Sequence, residues 1–424
     1  MGSKFHSIPH FAPATILALT GYLPAHLVSH GLHKWKSFTC MLLVLPVAFV
    51  LGGLAHAALT IASEIAETLE PTHKQHENSL LYGVSIIWSN VFALQPPVIS
   101  GIFLLTRHRW KESQVALQKV IHLSGVSAQI MQRWKSLARC LSLFSLFFIA
   151  IWEYFDWRIY MDTYPELYDS DFQNGFAPLP IKVTAVQVVA LWVTLCTVPY
   201  YLVQQVHLSV IFSALLVRDA CAEMLSDLRA LCDTIRMGRE TCITKDLLEA
   251  VNSFRSFQMA LVSCMEILNA LYSWVLCGVF GFNMALTASC LVKIFTESGT
   301  SMMNTVFNCA NLVTFFSVVV LFSIPLVQAQ EKAEELALVL YELQVCAEGR
   351  MKKMPDYFAT DYQHVKYQLE LMEQIAKRHT PGFSGGFVVY SRNLLATVCT
   401  ILVSAALFVQ DLVDRSTRNQ TKLS

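Results

Sequence analysis

The chain has 424 residues, of which 54% are hydrophobic, 11% aromatic and 15% charged. A soluble globular protein carries about 25% charged residues, so this composition excludes that class and points to an integral membrane protein. With 31 basic and 31 acidic residues the formal charge is zero, which offers no electrostatic footing for nucleic acid; collagen, disulfide scaffolds and disordered chains are excluded as well.

In chain order, residues 11–31 are apolar but broken by Pro13, Pro24 and Gly31 and carry His26 and His30, which predicts an interfacial or re-entrant segment rather than a span. His26, His30 and His33 share one helical face at a spacing that can chelate a metal. No Cys or carboxylate lies nearby to complete a site, so wet or interfacial histidines are expected and no metal. Seven stretches then approach or exceed the roughly 20 apolar residues that a helix needs to cross a bilayer. They are 38–62, 80–105, 138–158, 181–216, 259–292, 305–328 and 386–410. Sustained period-2 alternation is absent, so the expected fold class is all-α, a seven-transmembrane helical bundle. The fourth and fifth runs are longer than a membrane is thick, which predicts helices that continue into water.

Cytoplasmic loops retain Lys and Arg, and this sets the orientation. Between the second and third runs lie Arg107, Arg109, Lys111, Lys119, Arg133 and Lys135 against Glu112, so that loop is expected inside. Glu64, Glu67, Glu70 and Glu77 follow the first run with Lys74, while Asp162, Glu166, Asp169 and Asp171 follow the third with no base, so both are expected outside. Seven crossings then give a cytosolic N-terminus and an extracellular C-terminus, the reverse of a G-protein-coupled receptor. None of the twelve cysteines falls in those outer loops; Cys290 and Cys309, near outer helix ends, are candidates to pair. The sequon Asn419-Gln420-Thr421 sits on the expected outer tail.

Below the membrane, Met224, Leu228, Leu231 and Ile235 repeat at helical spacing between charges, and one face seeks a partner helix. Gly238 is a candidate helix stop and Thr244 a candidate cap for the next helix. Residues 329–348 and 359–378 show the same amphipathic pattern, which predicts a packed helical domain in the cytosol. Enzyme chemistry finds little support. Gly382-Phe383-Ser384-Gly385-Gly386 has the spacing of a nucleophile elbow, but a charged helix precedes it where that chemistry needs a strand, so a flexible hinge is expected. Phosphate-cradling loops are absent, and no cofactor is expected.

The last span carries the most specific signal. A charged amphipathic helix is followed by a glycine break, by Arg392-Asn393-Leu394-Leu395, and by an apolar run ending at Gln410. This end of the chain resembles that of the insect-type gustatory receptor family, whose hallmark is Thr-Tyr, five apolar residues and Gln-Phe. Ala405 to Val409 match the apolar stretch and Gln410 the Gln, whereas Val403, Ser404 and Asp411 depart from the pattern. The resemblance implies a ligand-gated, non-selective cation channel, opened by an extracellular tastant such as a sugar or bitter compound. It also implies a homotetramer, or a heterotetramer with related subunits, in the plasma membrane of a sensory neuron. The last span would line the pore and the cytosolic helices would join the subunits.

On that footing the expected organisation is a cytosolic segment at 1–37 and spans one to six with the ligand pocket at 38–328, including a cytosolic insertion at 217–258. Anchor helices at 329–384, the pore helix at 385–410 and an outer tail at 411–424 complete it. Ala396, Thr400, Val403, Leu407, Gln410 and Asp414 form one helical stripe. In a pore, apolar rings can gate by dewetting, and amide and acidic rings suit cations. Read alone, the stripe describes a helix-packing surface equally well. For the ligand, outward-half aromatics and amides are the candidates: Trp88, Asn90, Trp152, Gln187, Trp192, Asn283, Asn308 and Asn311. Such side chains suit a sugar or small polar ligand, and also build interfacial belts, the expected role of Trp157 and Tyr160. Glu153 and Asp156, near the outer edge, are either hydrated charge or an attraction for a cationic ligand. The alternatives are a light-sensing or odorant-type relative of the same fold, and a secondary transporter. For a transporter the sequence shows no internal repeat and one clear mid-span break, Pro96-Pro97.

Overall fold

The computed structural model describes residues 12–23, 44–69, 79–163, 173–175, 182–237, 243–296, 302–351, 359–378, 382–386 and 388–423. Helix α1 spans Ala12–Leu19, α2 Val44–Leu69 and α3 Ser79–Thr106. A 3-10 turn at Arg107–Arg109 leads into α4, Trp110–Ser124, and then α5, Ala128–Thr163. Strand β1, Gln173–Gly175, pairs antiparallel with β2, Lys182–Thr184. Helix α6, Ala185–Trp192, runs through a π turn at Val193–Thr197 into α7, Val198–Met237. Next come α8, Ile243–Thr296, α9, Met302–Met351, and α10, Ala359–Arg378. Strands β3, Ser384–Gly385, and β4, Val388–Val389, form a short hairpin before α11, Arg392–Leu423.

Each predicted span coincides with one of the seven long helical runs, α6 and α7 counting as one. Four stretches are long and apolar enough by themselves to cross a membrane: Val44–Ala62, Ala128–Phe155, Leu247–Phe295 and Thr305–Gly349. Lipid-facing surface is visible on α5, where Leu143, Phe144, Leu146, Phe147, Ile151 and Tyr154 stand exposed. Water would penalise such a face, and hydrocarbon does not. The 54 residues of α8 extend about 80 Å at 1.5 Å per residue, against a hydrocarbon core of about 30 Å. Most of the surplus length lies in a lower half, where the C-terminal half of α7, the N-terminal part of α8, the C-terminal half of α9, α10 and α4 pack together.

That lower half has an apolar interior. Met224, Leu228 and Ile235 are buried among Leu247, Val251, Phe254, Leu336, Leu340, Leu343, Val365, Leu369 and Met372. The face that sought a partner helix therefore finds it within the subunit, while Leu231 is half-buried at its edge. Polar contacts lie around this core. Arg255 donates to Gln368 at 2.7 Å, Gln258 Nε2 to the Met372 carbonyl at 2.7 Å, and Arg229 pairs with Glu335. Where this half meets the bundle, Trp134 Nε1 donates to Asp219 Oδ2 at 2.7 Å, and Arg218 binds Asp219 Oδ1 and Gln328 while lying 5.5 Å over the Trp134 ring. That knot ties α5, α7 and α9 together.

Several details differ from expectation. The first segment packs into the bundle: Leu17, Tyr22 and Leu23 are fully buried, and Arg107 donates to the Gly21 and Tyr22 carbonyls at 3.2 and 3.3 Å. His26, His30 and His33 lie outside the described residues. Helix α3 continues through Pro96 and Pro97 with no break, tolerable because neighbouring helices compensate a lost backbone bond. Here α2 comes close: a Cβ on Gly53 would meet Pro97 Cβ at 3.0 Å, and one on Gly52 would meet Leu195 Cδ2 on the π turn at 2.8 Å. Cys290 is buried, Cys309 exposed, and both are free thiols. Helix α8 begins at Ile243, so Thr244 sits in its first turn, and Gly238 lies outside the described residues. With no Gly or Pro after Gly386, α11 runs on to Leu423 beyond the span predicted from hydropathy.

Candidate functional site

Two candidate sites are built by these helices. The first is an aromatic box between α3, α5, the start of α7, the end of α8 and the start of α9. Phe92, Ile149, Tyr200, Leu286, Cys290 and Phe315 are buried together, with Trp152 and Trp192 packed against them. Phe92 stands at the centre. Its ring stacks on Trp192 at 5.9 Å, meets Trp152 edge-on at 5.1 Å and lies 5.7 Å from Tyr200. Trp152 also approaches Tyr200 at 5.9 Å and Phe315 at 6.1 Å. Edge-to-face and offset contacts at these separations suit the ring quadrupoles.

Both indoles turn their N–H groups to acceptors. Trp152 Nε1 donates to Asn311 Oδ1 at 2.7 Å, and Trp192 Nε1 to Glu153 Oε2 at 3.0 Å. His56 on α2 closes the side, edge-on to Trp192 at 6.1 Å, and its Nδ1 lies 3.2 Å from Thr60 Oγ1. Asn311 is buried with its Nδ2 lacking a hydrogen-bond partner in the chain. One helical turn away Asn308 is buried too. Asn283, a turn from Leu286 on α8, gives its Nδ2 to the Val279 carbonyl at 2.7 Å and leaves Oδ1 unpaired. Asn90 is half-buried, two residues from Phe92, and its Oδ1 also makes no hydrogen bond.

Of the eight ligand candidates read from the sequence, the structure brings Trp152, Trp192 and Asn311 into one cluster, with Asn90, Asn283 and Asn308 at its edges. Gln187 is exposed. The side chain of Trp88 lies outside the described residues. Phe92, Tyr200 and Phe315 escaped the sequence reading because a lone aromatic in an apolar span carries no polar mark. Tyr200 has a further disguise, since the π turn adds a residue to the helical phase between it and Trp192. A shallow hollow of about 320 Å³ on the outside of α5 is lined by Phe147, Ala150, Ile151, Tyr154 and Phe155. It is an apolar groove on one helix with no polar group to orient a ligand.

The second site is α11 and its root. Val398 and Leu402 are buried against Val319, Phe280, Met284, Leu291 and Phe316, so α8 and α9 hold one face of the helix. The predicted stripe turns the other way: Thr400 and Gln410 are exposed, as are Val403 at 60% and Leu407 at 63%. The side chain of Asp414 lies outside the described residues. The root is a fixed hairpin and not the flexible hinge expected from its glycines. Asn269 on α8 donates to the Gly382 carbonyl at 2.9 Å and accepts from the Ser384 amide at 3.0 Å. Ser273 Oγ accepts from the Gly386 amide at 2.6 Å, and Tyr390 Oη donates to the Leu276 carbonyl at 3.0 Å. The glycines serve geometry: Gly386 has φ +64°, and a Cβ on Gly385 would approach the Cys277 amide nitrogen to 3.2 Å. Arg392 then pairs with Glu331 across to α9. Ser384 is held through its amide by the Asn269 side chain, and among the described residues no base is hydrogen-bonded to its hydroxyl.

The comparisons agree with this architecture. The insect olfactory receptor OR5 from Machilis hrabei aligns with a TM-score of 0.64 at 13% identity, covering 94% of this chain and 97% of that one. The structure of the same receptor in complex with eugenol aligns with a TM-score of 0.59 at 14% identity, with the same coverage. At such identity these likenesses speak for the fold, a seven-helix membrane bundle. A search of curated proteins gives no significant match. The family model described as 7tm chemosensory receptor matches residues 98–373, well over half of the chain. The chain belongs to the 7tm chemosensory receptor family and is a multi-pass, all-α membrane protein.

Proposed function

We propose that the chain is a subunit of a ligand-gated, non-selective cation channel that detects a small extracellular molecule. Four subunits, identical or related, surround a pore lined by α11. The observation that carries this reading is the one-sided packing of that helix: Val398 and Leu402 face the bundle while Thr400, Val403, Leu407 and Gln410 face away from it. A stripe that mixes a hydroxyl, apolar residues and an amide suits neither lipid alone nor a dry helix contact, but does suit a path that is wet in one state and closed by apolar rings in another. The aromatic box is the ligand site, and the lower half joins the subunits in the cytosol, with the N-terminus inside and the C-terminus outside. The setting is the plasma membrane of a sensory neuron. A gustatory type of ligand is favoured by the resemblance of the α10 to α11 region, where Gln410 follows the apolar stretch.

Accessible-cysteine scanning of 396–411 in cells expressing the chain tests the pore. Modification is expected to change current at 396, 400, 403, 407 and 410, and to leave 398 and 402 silent. Sensitive positions scattered around the helix, or no sensitive position in a channel that still responds to ligand, would remove α11 from the pore.

A further inference from the structure

The aromatic box contains one full charge. Glu153 is half-buried on α5, in the outer half of the bundle, and accepts from Trp192 Nε1 at 3.0 Å, with the Thr197 side chain of the π turn beside it. Among the described residues no basic side chain pairs with it, and Arg158, farther along the same helix, is exposed. A carboxylate at membrane depth without a counter-charge is expensive, and one that persists marks a site whose partner comes from elsewhere. The rings nearby are of the kind a cation prefers. Trp192 is both a donor to Glu153 and a stacking partner of Phe92, and Trp152 and Tyr200 complete a shell around Phe92. Aromatic faces attract ammonium groups through the ring quadrupole, most strongly where water is excluded.

The same inventory argues against other ligand classes. An anion would meet the carboxylate. A sugar would find the unpaired Asn90 Oδ1, Asn283 Oδ1 and Asn311 Nδ2 at the edge of the box, but not the two indole N–H groups beside the carboxylate, which are engaged on Asn311 and Glu153. Trp192 is also the last residue before the π turn at Val193–Thr197. The ring that covers Glu153 thus sits on the least regular part of the fourth span, as is common at functional sites. His56, Tyr200 and Cys290 are further titratable side chains at the box, and the Lys293 ammonium, one turn beyond Cys290 on α8, is close enough to act on that thiol.

We propose that the ligand class of this receptor is a small organic cation, a protonated amine or quaternary ammonium. Its charge sits against the Glu153 carboxylate and its carbon substituents against Phe92, Trp152, Trp192 and Tyr200. This rests on the box being the ligand site, and the test separates the two ideas.

The probes are choline and its uncharged carbon isostere, 3,3-dimethylbutan-1-ol, titrated against the purified full-length protein in lipid nanodiscs with thermal stabilisation as the readout. Choline is expected to bind at least about tenfold more tightly than the isostere, and Glu153→Gln to bring the two within about threefold. Equal binding of the two probes to the wild-type protein overturns the inference without needing any variant to fold; so does a preference for choline that survives Glu153→Gln. Trp152→Ala and Phe92→Ala then tell which idea failed. If they weaken an isostere that binds as well as choline, the box stands as the ligand site and the cation does not. If a probe binds and neither variant alters its binding, the box assignment falls and the cation with it; if neither probe binds, the cation inference falls alone.

Discussion

The lower half and the aromatic box are both buried, yet they are built on opposite terms. Below, Leu228, Val251, Leu336, Leu343 and Leu369 fill the interior, and the charges stay at the rim. Above, Trp152, Trp192, Glu153 and Asn311 share a cluster, and Asn90 Oδ1, Asn283 Oδ1 and Asn311 Nδ2 have no hydrogen-bond partner in the chain. The lower half has orphan oxygens of its own, at Gln258, Gln330 and Gln344, but does not gather them around a carboxylate. An unmade buried hydrogen bond costs about 1–3 kcal/mol, and the upper half concentrates that cost around one aromatic cluster while the lower half spreads it along a packed aliphatic interior. A fold with one aliphatic end and one end whose polar atoms gather in a cluster stays assembled through the first while the second is free to take a partner.

The sharpest way to break this contrast is to put a charge into the aliphatic interior of the lower half. Leu228→Asp places a carboxylate at a fully buried position, at a cost of about 4 kcal/mol or more. Loss of the monodisperse protein peak in size-exclusion chromatography is expected; a normal peak would mean that the lower interior is wet. The next effect is smaller and lies in the box. Trp152→Phe keeps the ring but strips Asn311 of its donor, which should lower stability by about 1–3 kcal/mol, read as an earlier thermal transition. Adding Asn311→Leu should restore most of the loss, because no orphan then remains. A double variant no better than the single one would show that packing, not the hydrogen bond, sets the cost.

The smallest effect belongs to the rim. The hydrogen bond from Lys332, at 2.6 Å, together with the Arg229 pair, holds the Glu335 carboxyl below its ordinary value. A depressed acid stabilises the fold above the unfolded pKa of about 4.3, and that contribution disappears as pH falls through the lower folded value. Solvent screening keeps it small, so Glu335→Gln should cost about 0.3 kcal/mol at pH 7 and remove a slight acid sensitivity below pH 4. A large loss would transfer importance from the interior to the rim.

Much of the fold was legible because hydropathy and helical period act locally. The seven runs could be counted from apolar length, the bounds of α10 fell at 359 and 378 as its amphipathic pattern required, and Met224, Leu228 and Ile235 declared a buried face. The box was half legible, since Trp152, Trp192 and Asn311 are conspicuous in apolar spans. Gln187 is exposed, which its sequence could not show, because a sequence gives which residues share a helix face but not which way that face points. The hairpin at the root of α11 was read as loose because its partners, Asn269 and Ser273, lie more than a hundred residues earlier on α8. Glycine read alone suggests freedom, and a distant amide can cancel it.

That hairpin makes α11 a beam clamped at one end. Its root is fixed to α8 through backbone bonds at Gly382, Ser384 and Gly386, its flank rests on Val398 and Leu402, and among the described residues none beyond Leu402 is buried. Gln410 lies about 27 Å along the helix from Arg392 at 1.5 Å per residue. A tilt of about 5° at the clamp therefore carries Gln410 sideways by about 2 Å, roughly the distance that separates a dry constriction from one wide enough for water.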